Sequence, residues 1–410
     1  MQVTENMKMP VTTSRIFQVR KQSELPFYCK PLRLFFAVWL LMLITFQLHV
    51  SYTSYPDISL ALILFAVSAA SFIIGYGTVS FAYSAVGGPL VGALEYGIDL
   101  KKFRRFQSVA LVISVIIIVF NWRKYGLPPL FGFFGADTYI YAEYGSLKQV
   151  LFPPFMALCV TAPLEPSRIR RWFFYAFGPI CALAYASRGY LLILLFQVLA
   201  MFSLRTTLSK RKIYLIALTT LCLAIAIADV IGNNRMSSGS GALLGYMQIK
   251  RAYYDWPTSY LWMVSYISSP ISNLCWIVHS YHYDHPSISF LYSLLPGSLN
   301  ALSREAGDLG SDNIVDGVHT YIAKYYVDLW WFGVFGINYI WGLISGYISA
   351  GNRLTRNFLI SAVLLGCIGF LFFADFLSFL IIAIELTVLI FAQRYFTLEY
   401  TPADQRHTTV

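Results

Sequence analysis

Arg188, Arg235 and His319 each pair a chemistry-bearing side chain with an unusual setting in this 410-residue chain. Arg188 lies in Ser187-Arg188-Gly189-Tyr190, between two apolar stretches too close together for a real loop. A guanidinium at a membrane boundary is costly, roughly 2.5–3.5 kcal/mol at mid-helix and less near the surface. Such a residue either snorkels to the headgroups and fixes topology or serves a ligand. Arg235 lies in GNNRMSSGSG. Glycine there lets a backbone approach a ligand closely, and the arginine fork suits phosphate oxygens; an ordinary flexible surface loop is the alternative. Arg251, beside Lys250, is a weaker candidate of the same kind. Arg304 either binds a ligand or balances Glu305 and Asp308. His319 opens HTYIAKYYVDLWWFGVFG, where an imidazole could act as a general base or hold a phosphate, or serve packing alone. His279, His282 and His285, with Asp284, form HSYHYDH. Their i, i+3, i+6 spacing wraps a helix loosely, and aromatic packing is preferred over a metal site.

These residues need elements to hold them, and the composition says which kind. Hydrophobic residues make up 57% of the chain and charged residues 12%, against about 25% charged in a soluble domain. The mean hydropathy is +0.61. A bilayer core about 30 Å thick needs roughly 20 apolar residues per helix, and a backbone in lipid must satisfy its own hydrogen bonds. The fold class expected is therefore all-α: a polytopic transmembrane bundle of about ten spans. The apolar windows are 34–50, 58–83, 108–122, 150–164, 172–186, 190–204, 213–231, 329–351, 358–373 and 376–395. The window 150–164 is the weakest, interrupted by Pro153 and Pro154. Residues 1–33 and 396–410 read as cytoplasmic tails around an integral membrane domain, 34–395. The basic leader lacks a cleavage site and is not read as a signal peptide. With both termini inside, the inner segments hold 21 Lys and Arg and the outer segments 9, which together make the 30 in the chain. That bias sets the orientation.

Two outer segments remain, 123–149 and 232–328. The second is far longer than an ordinary connection and rich in aromatics. Its apolar part, 259–280, is broken by Ser268, Ser269, Pro270, Ser272 and Asn273 and reads as a pair of short interfacial or re-entrant helices. The charge of +10 is dispersed in short clusters, so nucleic acid is not an expected partner. None of the six cysteines forms a CxxC pair, and they read as packing residues. Walker A, Rossmann and HExxH sequences are absent, as is an acidic pair for a nucleotide sugar. Acidic residues inside the spans are few, with Glu385 alone well inside, which counts against a coupled pump.

The order of these features resembles a known family. A helix hairpin with SRG at its outer turn is followed by a long outer loop opening with a Gly/Asn–Arg segment. ISSPISN comes next, then HTY…Y-V-D-L-W-W-F-G-V-F-G running into a helix. That order is similar to the O-antigen polymerases, the oligosaccharide repeat-unit polymerases of Gram-negative envelopes, over roughly residues 120 to 350. The related O-antigen ligases share an SRG arginine and a histidine near the position of His319. Thr320 in place of Asn and the Leu329-Trp330-Trp331 spacing depart from the ligase pattern. The resemblance implies a metal-independent, inverting glycosyltransferase of the bacterial inner membrane, with no cofactor. Its substrates would be undecaprenyl-diphosphate-linked oligosaccharides and its further partner a polysaccharide chain-length regulator. Arg188, Arg235 and His319 would be catalytic. Arg251, Arg304, Asp316, Tyr326 and Asp328 would bind substrate, with Asp316 the weaker choice of base. The alternatives are an O-antigen ligase and a lipid-linked oligosaccharide flippase.

Overall fold

The computed structural model describes residues 14–20, 24–51, 57–85, 94–134, 147–185, 187–204, 209–235, 248–280, 286–294, 320–350, 353 and 357–398. Among these, eleven α-helices form: α1 (Pro31–Gln47), α2 (Ser59–Ala85), α3 (Leu100–Tyr125), α4 (Leu147–Thr161), α5 (Arg168–Ala184), α6 (Arg188–Leu204), α7 (Lys210–Arg235), α8 (Thr258–Ser280), α9 (Tyr321–Ser349), α10 (Phe358–Gly369) and α11 (Leu380–Phe396). Each apolar window overlaps one of these helices. Helices α2, α3, α8 and α9 are long and apolar enough to cross a membrane; α1, α4, α6 and α10 are shorter apolar helices.

The distribution of side chains on α3 is the reverse of that on a water-soluble helix. It buries Gln107, Ser114 and Asn121 and exposes Val109, Val112, Ile113, Ile116, Val119 and Phe120. Helix α2 repeats the pattern, with Ser68 and Ser71 inside and Leu62, Ile63, Ile73 and Ile74 outside. Exposed apolar surface this continuous is unstable in water and at home in hydrocarbon. The buried hydroxyls turn back on their own helices: Ser68 donates to the Leu64 carbonyl at 2.8 Å and Ser114 to Ala110 at 2.8 Å. No backbone partner is lost by burying them.

A small three-stranded antiparallel sheet marks one end of the bundle. Hydropathy does not foresee it. Strands β1 (Ser14–Val19) and β2 (Leu94–Asp99) pair with Ser14 opposite Asp99, and β3 (Thr397–Leu398) adds to the other edge of β2 with Gly97 opposite Leu398. Three remote pieces of chain thus meet where α3 begins and α11 ends. Asp99 closes the start of α3, accepting from the amides of Lys101 and Lys102 at 3.0 and 3.1 Å, a normal N-cap. Two further contacts bring in α6 and α7. The Arg20 amide donates to the last carbonyl of α6, Leu204, at 2.8 Å. Tyr28 bonds Ser203 at 2.8 Å and packs edge-on to Tyr214. Cys29 beside it is fully buried, which pushes its thiol up to about 12, as expected for a packing cysteine. Between α4 and α5, the buried Glu165 takes the Ser167 amide at 3.0 Å and faces Arg104 at 3.6 Å and Arg170 at 3.7 Å. We call this the sheet end.

Helix α4 is the centre of the core rather than its weakest member. Leu151, Phe152, Phe155, Met156, Ala157, Leu158 and Val160 are all inaccessible. Pro153 and Pro154 sit inside it and bring no amide to the helical ladder; packing from α3, α5, α6 and α11 carries the helix through them.

The opposite, far end differs from expectation in two places. Residues 258–280 form one unbroken helix, not a broken pair. Pro270 brings no amide to the helical ladder, but the helix continues, with α1, α2 and α7 packed against it. Both ends of α8 are tied to the segment joining α1 to α2. At its start, Lys250 donates to the Val50 carbonyl at 2.9 Å, Tyr253 to the Leu48 carbonyl at 2.7 Å, and Leu261 and Trp262 pack on Val50. At its end, His279 Nε2 lies 3.6 Å from Asp57 Oδ2. The Asp57 carboxyl is held below its usual range by hydrogen bonds from Ser59 and, less, by His279. Both ends of α8 thus lie against the one connection between α1 and α2.

Helix α9 is two arms, not one rod. Trp330 has φ 54° and ψ −142°, a left-handed conformation that is rare for a bulky residue. The chain reverses there, so that the Tyr321 hydroxyl bonds Asn338. Glycine is required at 333, on the returning arm, where a Cβ would collide with the Tyr325 carbonyl of the first arm. The long arm then runs beside α2, with Gly75 against the Tyr339 backbone, Gly342 against Phe72 and Gly346 against Tyr76. Small residues four apart permit this backbone contact. Both helices finish at the sheet end, where Arg353 lies over the rings of Tyr347 and Tyr83 at 4.1 and 5.6 Å.

Gly342→Ala is expected to destabilise the protein by about 1–3 kcal/mol, the usual cost of overpacking. Gly336→Ala, where a Cβ meets nothing within 4 Å, is expected to be silent. Thermal unfolding of the solubilised protein checks this, and equal melting temperatures for the two variants would contradict the packing described.

Candidate functional site

The far end collects the elements that carry the candidate residues. Helices α5 and α6 are joined by a turn in which the Ser187 amide donates to Ala182 at 2.9 Å and the Leu191 amide to Ser187 at 3.1 Å. Arg188 is the first residue of α6, and Arg235 is the last of α7. The two helices leave the sheet end together, Ser203 and Tyr214 both flanking Tyr28. Arg235 is six residues further from Tyr214 than Arg188 is from Ser203, about 9 Å further out along the bundle. The side chains of both arginines lie outside the described set.

The Arg188 turn is linked to α9 through the connection between α10 and α11. Tyr190 packs against Phe152 and Phe376, with ring centroids at 4.7 and 6.3 Å. A Cβ on Gly189 would lie 3.9 Å from the Phe376 ring. Asp375, one residue earlier and buried, accepts from the Tyr325 hydroxyl at 2.5 Å. Tyr325 belongs to the short arm of α9, residues 321–329.

That short arm organises its surroundings with three polar side chains spaced along it. Asp328 accepts from Ser289 Oγ at 2.6 Å and from the Phe290 amide at 2.6 Å, and its backbone carbonyl accepts from the Ser287 amide at 2.8 Å. Its carboxylate thus caps the 3-10 turn Ser289–Leu294. Lys324, one turn earlier, donates to the Phe290 carbonyl at 2.7 Å, and Phe290 packs on Tyr325 at 5.1 Å. The arm begins at Thr320, buried and with a hydroxyl that has no hydrogen-bond partner among the described residues. Tyr321 follows beside Trp39, half-way along α1. The positive end of this short helix therefore points into the bundle, and the arm climbs from there to Trp330.

The structure places the remaining candidates as follows. Arg251 is exposed in a 3-10 turn, Arg251–Tyr253, next to the α1–α2 connection. Tyr326 is buried, and its hydroxyl accepts from Trp330 Nε1 at 3.2 Å. Asp328 is buried with both carboxylate oxygens engaged by the protein. His319, Arg304 and Asp316 lie outside the described residues, as do His282, Asp284 and His285. Among the described residues no group of three His, Cys, Asp or Glu side chains could hold a metal ion. Sequence reading missed Lys324 and the role of Asp375. The one signal for Lys324 was its spacing, four residues before Asp328, which puts both on one side of a helical turn. Comparison with protein-family models, with curated proteins and with solved structures finds no match.

Asp328→Ala removes two hydrogen bonds to a buried charge, each worth about 1.5–3 kcal/mol. The expected result is faster hydrogen exchange at the Phe290 amide and its neighbours, with exchange in α10 unchanged. Unaltered protection at Phe290 would contradict the capping role.

Proposed function

We propose that this chain is an inner-membrane glycosyltransferase that polymerises undecaprenyl-diphosphate-linked oligosaccharide repeat units at the far end of the bundle. One observation carries the reading. The helix ends bearing Arg188 and Arg235, the aromatic helix α8 and the short arm of α9 gather at one end, away from the sheet. The sheet end holds Arg20, Lys101, Lys102, Arg104, Arg170 and Arg171, among other basic residues. By the positive-inside rule that end faces the cytoplasm, and the far end faces the periplasm.

In this reading the donor is a growing glycan on a polyprenyl diphosphate, whose tail stays in the bilayer. The acceptor hydroxyl of a single repeat unit attacks the anomeric carbon from the face opposite the diphosphate. The bond to the diphosphate oxygen breaks, and the configuration inverts. Negative charge grows on the departing undecaprenyl diphosphate, where fixed cations lower the barrier; Arg188 and Arg235 take that part. His319 accepts the hydroxyl proton as general base, with Asp316 the weaker choice. Tyr253, Trp256 and Tyr260 stack edge to face at 4.7 and 4.8 Å at the start of α8. Such rings suit a place where one side is apolar and the other wet, and sugars would pass over them. Asp328 and Lys324 contribute by fixing the chain on either side of the site.

A lipopolysaccharide gel from a deletion strain tests the reading. Deletion is expected to leave core carrying a single repeat unit, and the wild-type gene to restore the ladder. Arg188→Ala, made at normal levels, is expected to leave the ladder at least 100-fold weaker, the usual cost of losing a fixed donor at a developing charge. Loss of every repeat unit from the core would identify a ligase or a flippase instead.

A further inference from the structure

In the middle of the bundle, away from the far end, Gln197 of α6 faces Glu385 of α11. Both are inaccessible to solvent. Gln197 Nε2 donates to Glu385 Oε2 at 3.2 Å. The other two oxygens, Gln197 Oε1 and Glu385 Oε1, are buried and have no hydrogen-bond partner among the described residues. Among the described residues no Lys, Arg or His nitrogen forms an ion pair with Glu385. The titratable groups that face it are the thiols of Cys159 on α4 and Cys367 on α10, neither of which brings positive charge. Gly366 of α10 leaves the room that the Gln197 side chain fills, since a Cβ there would lie 2.9 Å from Gln197 Cγ.

Two orphan acceptors on two side chains that already share one hydrogen bond lack a single proton between them. We infer that Glu385 is a proton-binding site: a proton on Oε1 donates to Gln197 Oε1, and acid and amide close a cyclic pair. The ring then has two hydrogen bonds, Nε2–H to Oε2 and Oε1–H to Oε1, no net charge and no orphan atom. An ionised carboxylate in the same place would be uncompensated in a low-dielectric interior, which is prohibitively costly, and would set its second oxygen against the amide oxygen. Intramembrane acidic residues of this kind are rare and tend to be functional. The pair clamps α6 to α11 at a point nine residues after Arg188, about 14 Å along the helix. Proton occupancy thereby controls how firmly α6, and the turn at its far end, is held against the core.

Infrared difference spectroscopy of the whole chain in lipid nanodiscs at pH 7, wild type minus Glu385→Gln, reads the proton directly. The expected result is a carbonyl band of a protonated carboxylic acid that moves down in D2O. Carboxylate stretching bands in its place would overturn the inference. A stability series adds a second readout. Glu385→Gln keeps a cyclic amide pair and is expected to melt with the wild type. Gln197→Leu breaks both bonds and is expected to melt below the wild type, by about 1 °C for each kcal/mol lost in a chain of this length. A rise in melting temperature for Glu385→Gln, as relief of a buried charge would give, also overturns it.

Discussion

The reversal of α9 at Trp330 is the constraint on which the far end depends. A chain that turns back inside an apolar bundle must find partners for the polar groups it uncovers, because no water is there to supply them. Here the partners come from the arm itself and from the chain that arrives beside it. Asp328 takes the Ser289 hydroxyl and the Phe290 amide, its carbonyl takes the Ser287 amide, and Lys324 holds the Phe290 carbonyl. Tyr325 and Tyr321 reach outward to Asp375 and Asn338. The left-handed Trp330 costs of order 1–3 kcal/mol, and these bonds, with Gly333 closing the angle, offset it.

From that arm the order spreads in two directions. Through Asp375 and Phe376 it reaches the turn at Arg188; through Ser287–Leu294 it fixes the chain that leaves α8. The long arm meanwhile lies against α2 by way of glycines and is held at the sheet end by Arg353. The far end is thus positioned by a few buried polar contacts and by backbone packing, whereas the sheet end is held by capping and by charge, as at Asp99 and Glu165.

Much of the helical layout is legible in hydropathy, because a membrane-crossing helix needs a run of apolar residues and little else. The features that hydropathy cannot carry are the ones that failed. In α8, Ser268, Ser269 and Pro270 read as a break, yet flanking helices keep it whole; tertiary packing overrode the local signal. In α9 the turn at Trp330 has neither Gly nor Pro at the bend, and Gly333 three residues later was the only trace of it. The sheet joins strands at residues 14, 94 and 397 that no local pattern connects. Asp328 was assigned to substrate through the family resemblance, and no pattern in the sequence showed that its carboxylate caps the turn Ser289–Leu294. Arg188 and Arg235 were singled out one by one, and the hairpin of α6 and α7 carries both to the same end.

The most direct test is a cysteine pair across the reversal, Tyr321→Cys with Asn338→Cys, in a chain whose six native cysteines are replaced. In a straight helix these positions would stand about 25 Å apart; folded back as the Tyr321–Asn338 hydrogen bond requires, they come within one side chain's reach of each other. A short bis-methanethiosulfonate reagent that cannot span the straight-helix separation is expected to link the two thiols within one chain, which a proteolytic cut near Trp330 reveals. Failure to cross-link, with both thiols reactive, would show α9 to be a single rod and would remove the basis for the arrangement of the far end.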